Sequence, residues 1–438
     1  MPIFKRRDFL IGLGSVAAAA PKVNAAQSLT SQQEPFLASA LPPLDQALMA
    51  SDSAYWLSVK KLYATAPGVI NLENGYWGIM TEEVRRQFQT HVERLNKESS
   101  LYARTQYGAD AEAARMAVAQ SLGALPQEIA FTRGATEAMQ MLIGGFNALK
   151  PGDCVIYSDL DYDSMQYSMN WLAKRRGVQV VKFNIPEPAS QQNVLSAYER
   201  VLQENPKTKL LLLTHVSHRT GLVMPVKEIA ERARRAGVTV VLDAAHSWGQ
   251  LDFKIQDLGV DFAGFNLHKW MGAPLGVGFL YIKQDRLSDI DTAMADEDWP
   301  ISDIRSRVHS GTSNFATLLT VPLALSVHQK IGAHAKESRL RYLRNHWVSQ
   351  VQTLPSLEIL TPNDPNMTAG ITSFRIKGKN TAADNNALVA ELLNKYGLFA
   401  VRRGGVAKGH CVRISPALYN NENDLDRLAW ALKNIASS

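Results

Sequence analysis

Four short stretches carry residue types suited to covalent amine chemistry on a small acid. Asn266-Leu267-His268-Lys269-Trp270-Met271-Gly272 places a lysine after the short apolar run Phe262–Phe265. A lysine amine in apolar surroundings is more easily neutral, and a neutral amine attacks carbonyl groups. Asn266 and His268 flank it with hydrogen-bonding groups, and Gly272, Gly276 and Gly278 permit close backbone approach. Asp243 ends the run Val238–Leu242, apolar except for Thr239, and Ala244-Ala245-His246 follows. A carboxylate at the end of a buried strand is costly unless a cation, such as a protonated ring nitrogen, pairs with it. Thr132-Arg133-Gly134-Ala135-Thr136-Glu137 joins a strand to a helix. Small residues there let backbone N–H groups face an anion, and Thr136 is placed to cap the helix. Val412-Arg413-Ile414-Ser415-Pro416 offers a guanidinium fork for a carboxylate. Taken singly, each has a plainer reading: a helix cap, a buried salt bridge, a solvated lysine, a surface arginine.

The elements that must position these residues alternate. Strands are expected at Glu128–Thr132, Cys154–Ser158, Val178–Phe183, Lys209–Thr214, Val238–Leu242, Phe262–Phe265 and Val277–Ile282. Helices are expected at 111–122, Thr136–Leu149, Ser164–Arg175 and Val226–Ala236. Lys209–Thr214 is nearly all leucine, as a strand covered on both faces should be. Such alternation predicts an α/β fold with a mostly parallel sheet sandwiched by helices. Ligands in these sheets bind beyond the C-terminal strand ends, where all but the arginine stretch fall. After about residue 325 the pattern changes to a smaller α+β unit. It holds a long helix at Val327–Val351, strands near Leu357–Leu360, Gly370–Ile376, Phe399–Arg402 and Cys411–Ile414, and helices at Ala382–Tyr396 and Asn423–Ile435.

In combination the motifs resemble the fold-type I pyridoxal-phosphate enzymes. Within these the chain is similar to the class V aminotransferases, the group that includes cysteine desulfurases. Phe131–Ala138, Val241–His246, Asn266–Trp270 and Val412–Asn420 are most similar to the isopenicillin N epimerase-like branch, and the likeness runs from about Asn71 to the C-terminus. The resemblance implies a large cofactor domain over residues 71–325 and a small domain over 326–438. It implies that Lys269 holds pyridoxal 5'-phosphate covalently and shuttles the α-proton, and that Asp243 keeps the ring nitrogen protonated. Tyr162 would stack on the ring, and His246 would contact its phenolic oxygen or the bond to Lys269. Ala135, Thr136, Asn266 and His268 would hold the phosphate, with Gly311 and Thr312 completing that site from the partner subunit of a homodimer. Arg413 would bind the substrate carboxylate. His218 replaces an asparagine common near the phenolic oxygen, and Asn266 stands where many relatives have serine. The desulfurase loop carries a nucleophilic cysteine; here Arg403-Gly404-Gly405-Val406-Ala407-Lys408 has none. Cys411 and Cys154 fall at or in expected core strands, which does not suit a mobile sulfur carrier.

Composition narrows the function. The 438 residues are 46% hydrophobic and 20% charged, with net charge +6. Residues 1–25 hold Lys5, Arg6, Arg7 and Lys22 against Asp8, which leaves a small positive charge on the rest and argues against nucleic-acid binding. Two cysteines exclude a disulfide scaffold and a cysteine-rich zinc site, and no metal site is expected. No apolar run is long enough to span a bilayer. Arg6-Arg7 precede a mild apolar run, Phe9–Ala20, and a small-residue site ending at Ala25. This resembles a twin-arginine signal peptide over residues 1–25, with residues 26–70 as an arm and linker. The expectation is an exported periplasmic enzyme, carried by the twin-arginine translocase and free of the membrane after cleavage. It would act at the α-carbon of an amino acid or peptide as an aminotransferase or epimerase. Exported members of this branch look like enzymes that tailor a peptide siderophore. The rivals are a C–S lyase or desulfurase, and a non-catalytic binding protein that kept the fold.

Overall fold

The structure, a computed structural model, describes residues 40–436 apart from Asp296 and Ser310. The expected signal segment and the first part of the arm lie outside the described residues. A two-residue strand, β1 (Ile70–Asn71), comes first. The alternating region then forms β2 (Ile129–Thr132), β3 (Cys154–Ser158), β4 (Gln179–Phe183), β5 (Thr208–Thr214), β6 (Thr239–Asp243), β7 (Phe262–Asn266) and β8 (Gly278–Ile282). They make one sheet in the order β2-β8-β7-β6-β5-β3-β4. Strands β3 to β7 are mutually parallel, and β8 runs antiparallel to both its neighbours, β7 and β2. The C-terminal ends of β2, β3, β5, β6 and β7 therefore share one edge. Leu210 to Leu213 of β5 are fully buried, because helices cover both faces of the sheet.

A four-stranded antiparallel sheet follows, ordered β12 (Val401–Arg403), β13 (Cys411–Ile414), β10 (Thr372–Ile376), β9 (Leu357–Ile359). Helices Ala333–Val351, Ala382–Tyr396 and Glu422–Ala436 pack on it around Trp347, Phe374, Leu392 and Leu428. Leu72 belongs to this second core. The reason is that β1 pairs in parallel with β11 (Leu398–Phe399), which draws the segment entering the large sheet across the small one.

Two expectations are corrected and one helix is added. The helix expected over Val327–Val351 is two helices, Val321–Ile331 and Ala333–Val351, broken at Gly332, whose φ of 94° is left-handed. The single strand expected at Phe399–Arg402 is two, β11 and β12, each with a different partner. A 24-residue helix, Glu82–Thr105, precedes the first expected one. Val84, Phe88, Val92 and Leu95 recur along it at helical spacing, a signal the sequence reading passed over, and Ser99 at φ 49° kinks it.

Candidate active site

Lys269 stands in the turn after β7. Gly272 N–H closes the turn onto the Lys269 carbonyl, and Gly78 N–H donates to the His268 carbonyl at 2.9 Å. A Cβ on Gly78 would lie 2.1 Å from the Lys269 carbonyl oxygen, so only glycine lets this loop support the turn. Lys269 Nζ lies 3.0 Å from His246 Nε2. Trp270 Nε1–H donates to His246 Nδ1 at 3.3 Å. That bond assigns the imidazole proton to Nε2, which can then donate to Lys269 only when the amine is neutral. Burial pushes Lys269 down to about 8; Asp243 opposes the fall, and Arg413 and Arg403 add to it. Lys269 still keeps partial exposure through the cavity it faces, although protein atoms crowd the amine. His246 is held neutral, first by burial and then by Lys269.

Asp243 ends β6 beside Gly264 of β7, and its carboxylate is buried. The hydrogen bond described for it comes from Ala245 N–H at 3.0 Å. Burial raises its pKa, and the charge of Lys269 works against that rise. The expected pairing with a cation is thus left for a group in the cavity. Across the sheet Thr214 pairs with Asp243 in register and donates its hydroxyl to Asp161 at 2.7 Å. Asp161 is a second buried carboxylate, pushed up to about 7 by burial despite bonds from Thr214 and Ser158. Its neighbour Tyr162 opens the helix Asp163–Arg176 and stands 39% exposed at the cavity wall, edge-on to the His218 ring at 5.0 Å. His218 is buried, is kept neutral chiefly by burial, and has an Nδ1 with no partner.

At the other end the helix Ala135–Gly145 begins. Here the sequence reading needs correction. Thr136 is the second residue of the helix, not its cap; Gly134 holds that position. The Ala135 N–H is already taken by Asn266 Oδ1 at 2.7 Å, and the Arg133 N–H by Glu137. Ala135 and Asn266 therefore bind each other, and the Thr136 backbone and hydroxyl are what the helix start offers to an anion. His268 Nδ1–H donates to the Val277 carbonyl at 3.3 Å, and burial holds its pKa down to about 4. Gly311 and Thr312 are exposed and lie outside the cavity of their own chain.

The four-stranded sheet supplies the remaining wall. Arg413 of β13 is 1% exposed and donates from Nη1 to the His218 carbonyl at 2.7 Å. From Nη2 it donates to both oxygens of Glu73, at 2.5 and 2.7 Å. Arg403 of β12 also reaches Glu73, at 3.2 Å. Gly75 makes room for this pair: a Cβ there would sit 2.4 Å from Arg413 Nη2. Sequence reasoning missed Glu73, Gly75 and the Trp270 indole. The stretch Asn71-Leu72-Glu73-Asn74-Gly75 precedes every expected element, and its chemistry appears only when β1 pairs with β11 and Glu73 bridges Ser415, just past β13.

Most of these groups line one cavity of about 720 Å³, with Glu73, Asp161 and Trp270 behind its wall. It brings together Ala135, Thr136, Tyr162, His218, Asp243, His246, Asn266, His268, Lys269 and Arg413. The fit to a flat ring bearing a protonated nitrogen and an anionic arm is direct. A buried carboxylate lacks a cation at one end, a helix start offers Thr136 at the other, and a lysine amine lies between them. Pyridoxal phosphate has those three features. The fold and site thus define a pyridoxal-phosphate-dependent enzyme acting on amino acids.

Comparison with known proteins agrees. The Aminotransferase class-V family profile matches residues 81–428, and the chain belongs to that family. Isopenicillin N epimerase of Streptomyces clavuligerus is 27% identical over 398 residues, covering 86% of this chain and 98% of the relative. A cysteine desulfurase of Yersinia pestis is 28% identical over 350 residues, covering 74% and 82%. Among solved structures, a variant of the cystine C–S lyase C-DES with glycine covalently linked to its cofactor superposes with a TM-score of 0.74 at 22% identity, covering 84% of this chain and 96% of that one.

Proposed function

We propose that this enzyme removes the α-proton of an amino acid, or of an amino-acid residue at the end of a peptide, and that epimerisation or transamination follows. The observation that carries the reading is one cavity bounded by the Lys269 amine and the Arg413 guanidinium, with His246 3.0 Å from the amine. When bound, pyridoxal phosphate supplies an electron-poor ring that delocalises the charge left on the α-carbon. The chain does the rest. Asp243 holds the ring nitrogen's proton. Thr136 would hold the phosphate, and His268, whose Nδ1–H is spent on Val277, would donate to it from Nε2 once the phosphate's charge draws a proton onto the ring against the burial that holds its pKa down to about 4. Tyr162, at the cavity wall, would pack against the ring. Lys269 takes the α-proton at Nζ, and Trp270 and His246 favour the neutral amine that this step needs. Epimerisation would need a proton delivered to the opposite face by a second acid, whereas return from Lys269 would restore the starting hand. Sulfur chemistry is disfavoured because Cys411 is buried, with its thiol pushed up to about 11 by burial, and Cys154 is buried as well.

The enzyme is exported by the twin-arginine route, folded and loaded with cofactor, and tailors a secreted peptide such as a siderophore in the periplasm. The paired Arg6-Arg7 before an apolar run supports export. The exposed Tyr76, Trp77 and Leu275 at the cavity rim support a substrate that extends beyond one amino acid. It works as a homodimer, with Gly311 and Thr312 serving the partner's phosphate end.

The test is a screen of purified holoenzyme with amino acids and short peptides, following the visible spectrum and exchange of α-deuterium with solvent. The true substrate should exchange its α-deuterium; turnover with that deuterium intact would place the chemistry at another bond. Arg413→Ala should lower kcat/KM by about 2–4 kcal/mol, the range for a desolvated charge pair. Arg6→Lys with Arg7→Lys should leave active enzyme in the cytoplasm, and normal periplasmic activity in that variant would refute the route.

A further inference from the structure

Glu73 occupies the place where the substrate carboxylate is to bind. Its backbone is fixed by an Asn71 side chain that accepts the Glu73 N–H at 2.9 Å, and by a bridge to Ser415. Its carboxylate, 8% exposed as a residue, straddles Arg413 Nη2. Arg413 Nη1 is bound to the His218 carbonyl, and its Nε is buried without a partner. A second carboxylate therefore finds no two-pronged edge on Arg413 while Glu73 stays. The β12–β13 register sets Arg403 opposite Cys411 and Val401 opposite Arg413. Arg403 and Arg413 are thus diagonal neighbours on one face, and Arg403 Nη2 already lies 3.2 Å from Glu73 Oε1. Arg403 has a buried Nε without a partner too.

We infer that Glu73 is a resident carboxylate that the substrate carboxylate displaces from Arg413 onto Arg403, and that it determines specificity. The inference rests on the reading of Arg413 as the carboxylate site. Charge decides the class of substrate. Two guanidinium groups and one Glu73 leave one positive charge, which one carboxylate neutralises. Once Glu73 has moved to Arg403, a second acidic group on the substrate meets a neutral pair instead of a free cation. The substrate is then an amino acid, or a peptide-linked residue, whose α-carboxylate is its only free acid, with an uncharged or amide-linked side chain.

The test compares wild-type, Glu73→Gln, Glu73→Asp and Arg413→Lys holoenzymes. Each is titrated with L-alanine and with L-glutamate, and dissociation constants are read from the visible absorption change. Removing a competitor tightens binding, whereas removing a mere structural support loosens Arg413 and weakens it, so the sign separates the two roles. Glu73→Gln should bind L-alanine about tenfold tighter and L-glutamate tighter still, because Arg403 is then free for the second acid. Glu73→Asp, with a shorter reach to Arg413, should shift L-alanine binding in the same direction by less. If Glu73→Gln fails to fold, Glu73→Asp carries the test. Unchanged or weaker binding of L-alanine in the Glu73 variants, with Arg413→Lys impaired, overturns the exchange and leaves the Arg413 reading intact. Wild-type-like binding by Arg413→Lys overturns the Arg413 reading and the exchange with it.

Discussion

Two lysines sit against histidines at the turn that follows β7, one in it and one packed on it, and the contrast between them separates the effect of burial from function. Lys269 Nζ is 3.0 Å from His246 Nε2. Lys336 Nζ, on the helix Ala333–Val351, is 2.9 Å from His328 Nδ1 and donates to the Trp270 carbonyl at 3.0 Å. Burial pushes both amines down, Lys269 to about 8 and Lys336 to about 7. By that measure Lys336 is the more readily neutral amine. Yet Lys336 is 5% exposed and opens onto a cavity of about 50 Å³, room for a few water molecules. Lys269 also faces the cavity of about 720 Å³. A depressed pKa records desolvation, and access to a cavity that fits a substrate makes it chemistry.

The largest expected effect breaks the contrast outright. Lys269→Ala should lose the visible band of the bound cofactor, and its turnover should fall by at least the roughly 10²–10⁴-fold typical of a lost general base, while circular dichroism stays native. Lys336→Met should keep both the band and most of the turnover. A Lys336→Met protein that folds but cannot take up the cofactor would show that the second lysine acts on the site.

Trp270 joins the two regions, its indole on His246 and its carbonyl on Lys336, so a substitution there sharpens the comparison. Trp270→Phe removes the donor to His246 Nδ1. The imidazole is then free to place its proton on Nδ1 and accept from Lys269, which favours the protonated lysine. The acid limb of kcat should move to higher pH, lowering turnover near neutrality by about tenfold or less. Lys336→Met should leave that limb in place. An unmoved limb in Trp270→Phe would remove Trp270 as a positioning residue.

The same contrast marks how far the sequence could be read. Lys269, Asp243 and the Gly134–Thr136 turn were legible because each follows a strand whose apolar run is visible, and a parallel sheet gathers such ends at one edge. Arg413 was legible as a fork but not as a paired one. Its partner, Glu73, lies 340 positions away in sequence and meets it through a two-residue strand too short to leave a pattern. Lys336 sits in a long helix rich in charged residues. Nothing in its spacing announces that packing against Trp270 buries it. The cap was misplaced by two residues, from Gly134 to Thr136, because Gly134, with φ 160°, makes the extended entry into the helix. Local periodicity carried the sheet, and long-range pairing carried the carboxylate end.

The smallest effect concerns stability, and its sign follows from Lys336. In the unfolded chain its amine titrates near its ordinary value, 10.5; in the native protein it titrates at about 7. Between those values the unfolded state binds a proton that the native state has released, so rising pH favours the native state. Below pH 7 both states hold the proton and the contribution is flat. Lys336→Met removes this titration. His328, held well below its ordinary value first by burial and then by Lys336, titrates below the window. The stability of wild-type holoenzyme relative to Lys336→Met should therefore rise from pH 7 to 10 by roughly 1 kcal/mol per unit at most. Urea melts of the two proteins across that range read the difference directly. A difference that stays level would mean that Lys336 remains charged in the fold. The contrast with Lys269 would then be one of titration as well as access.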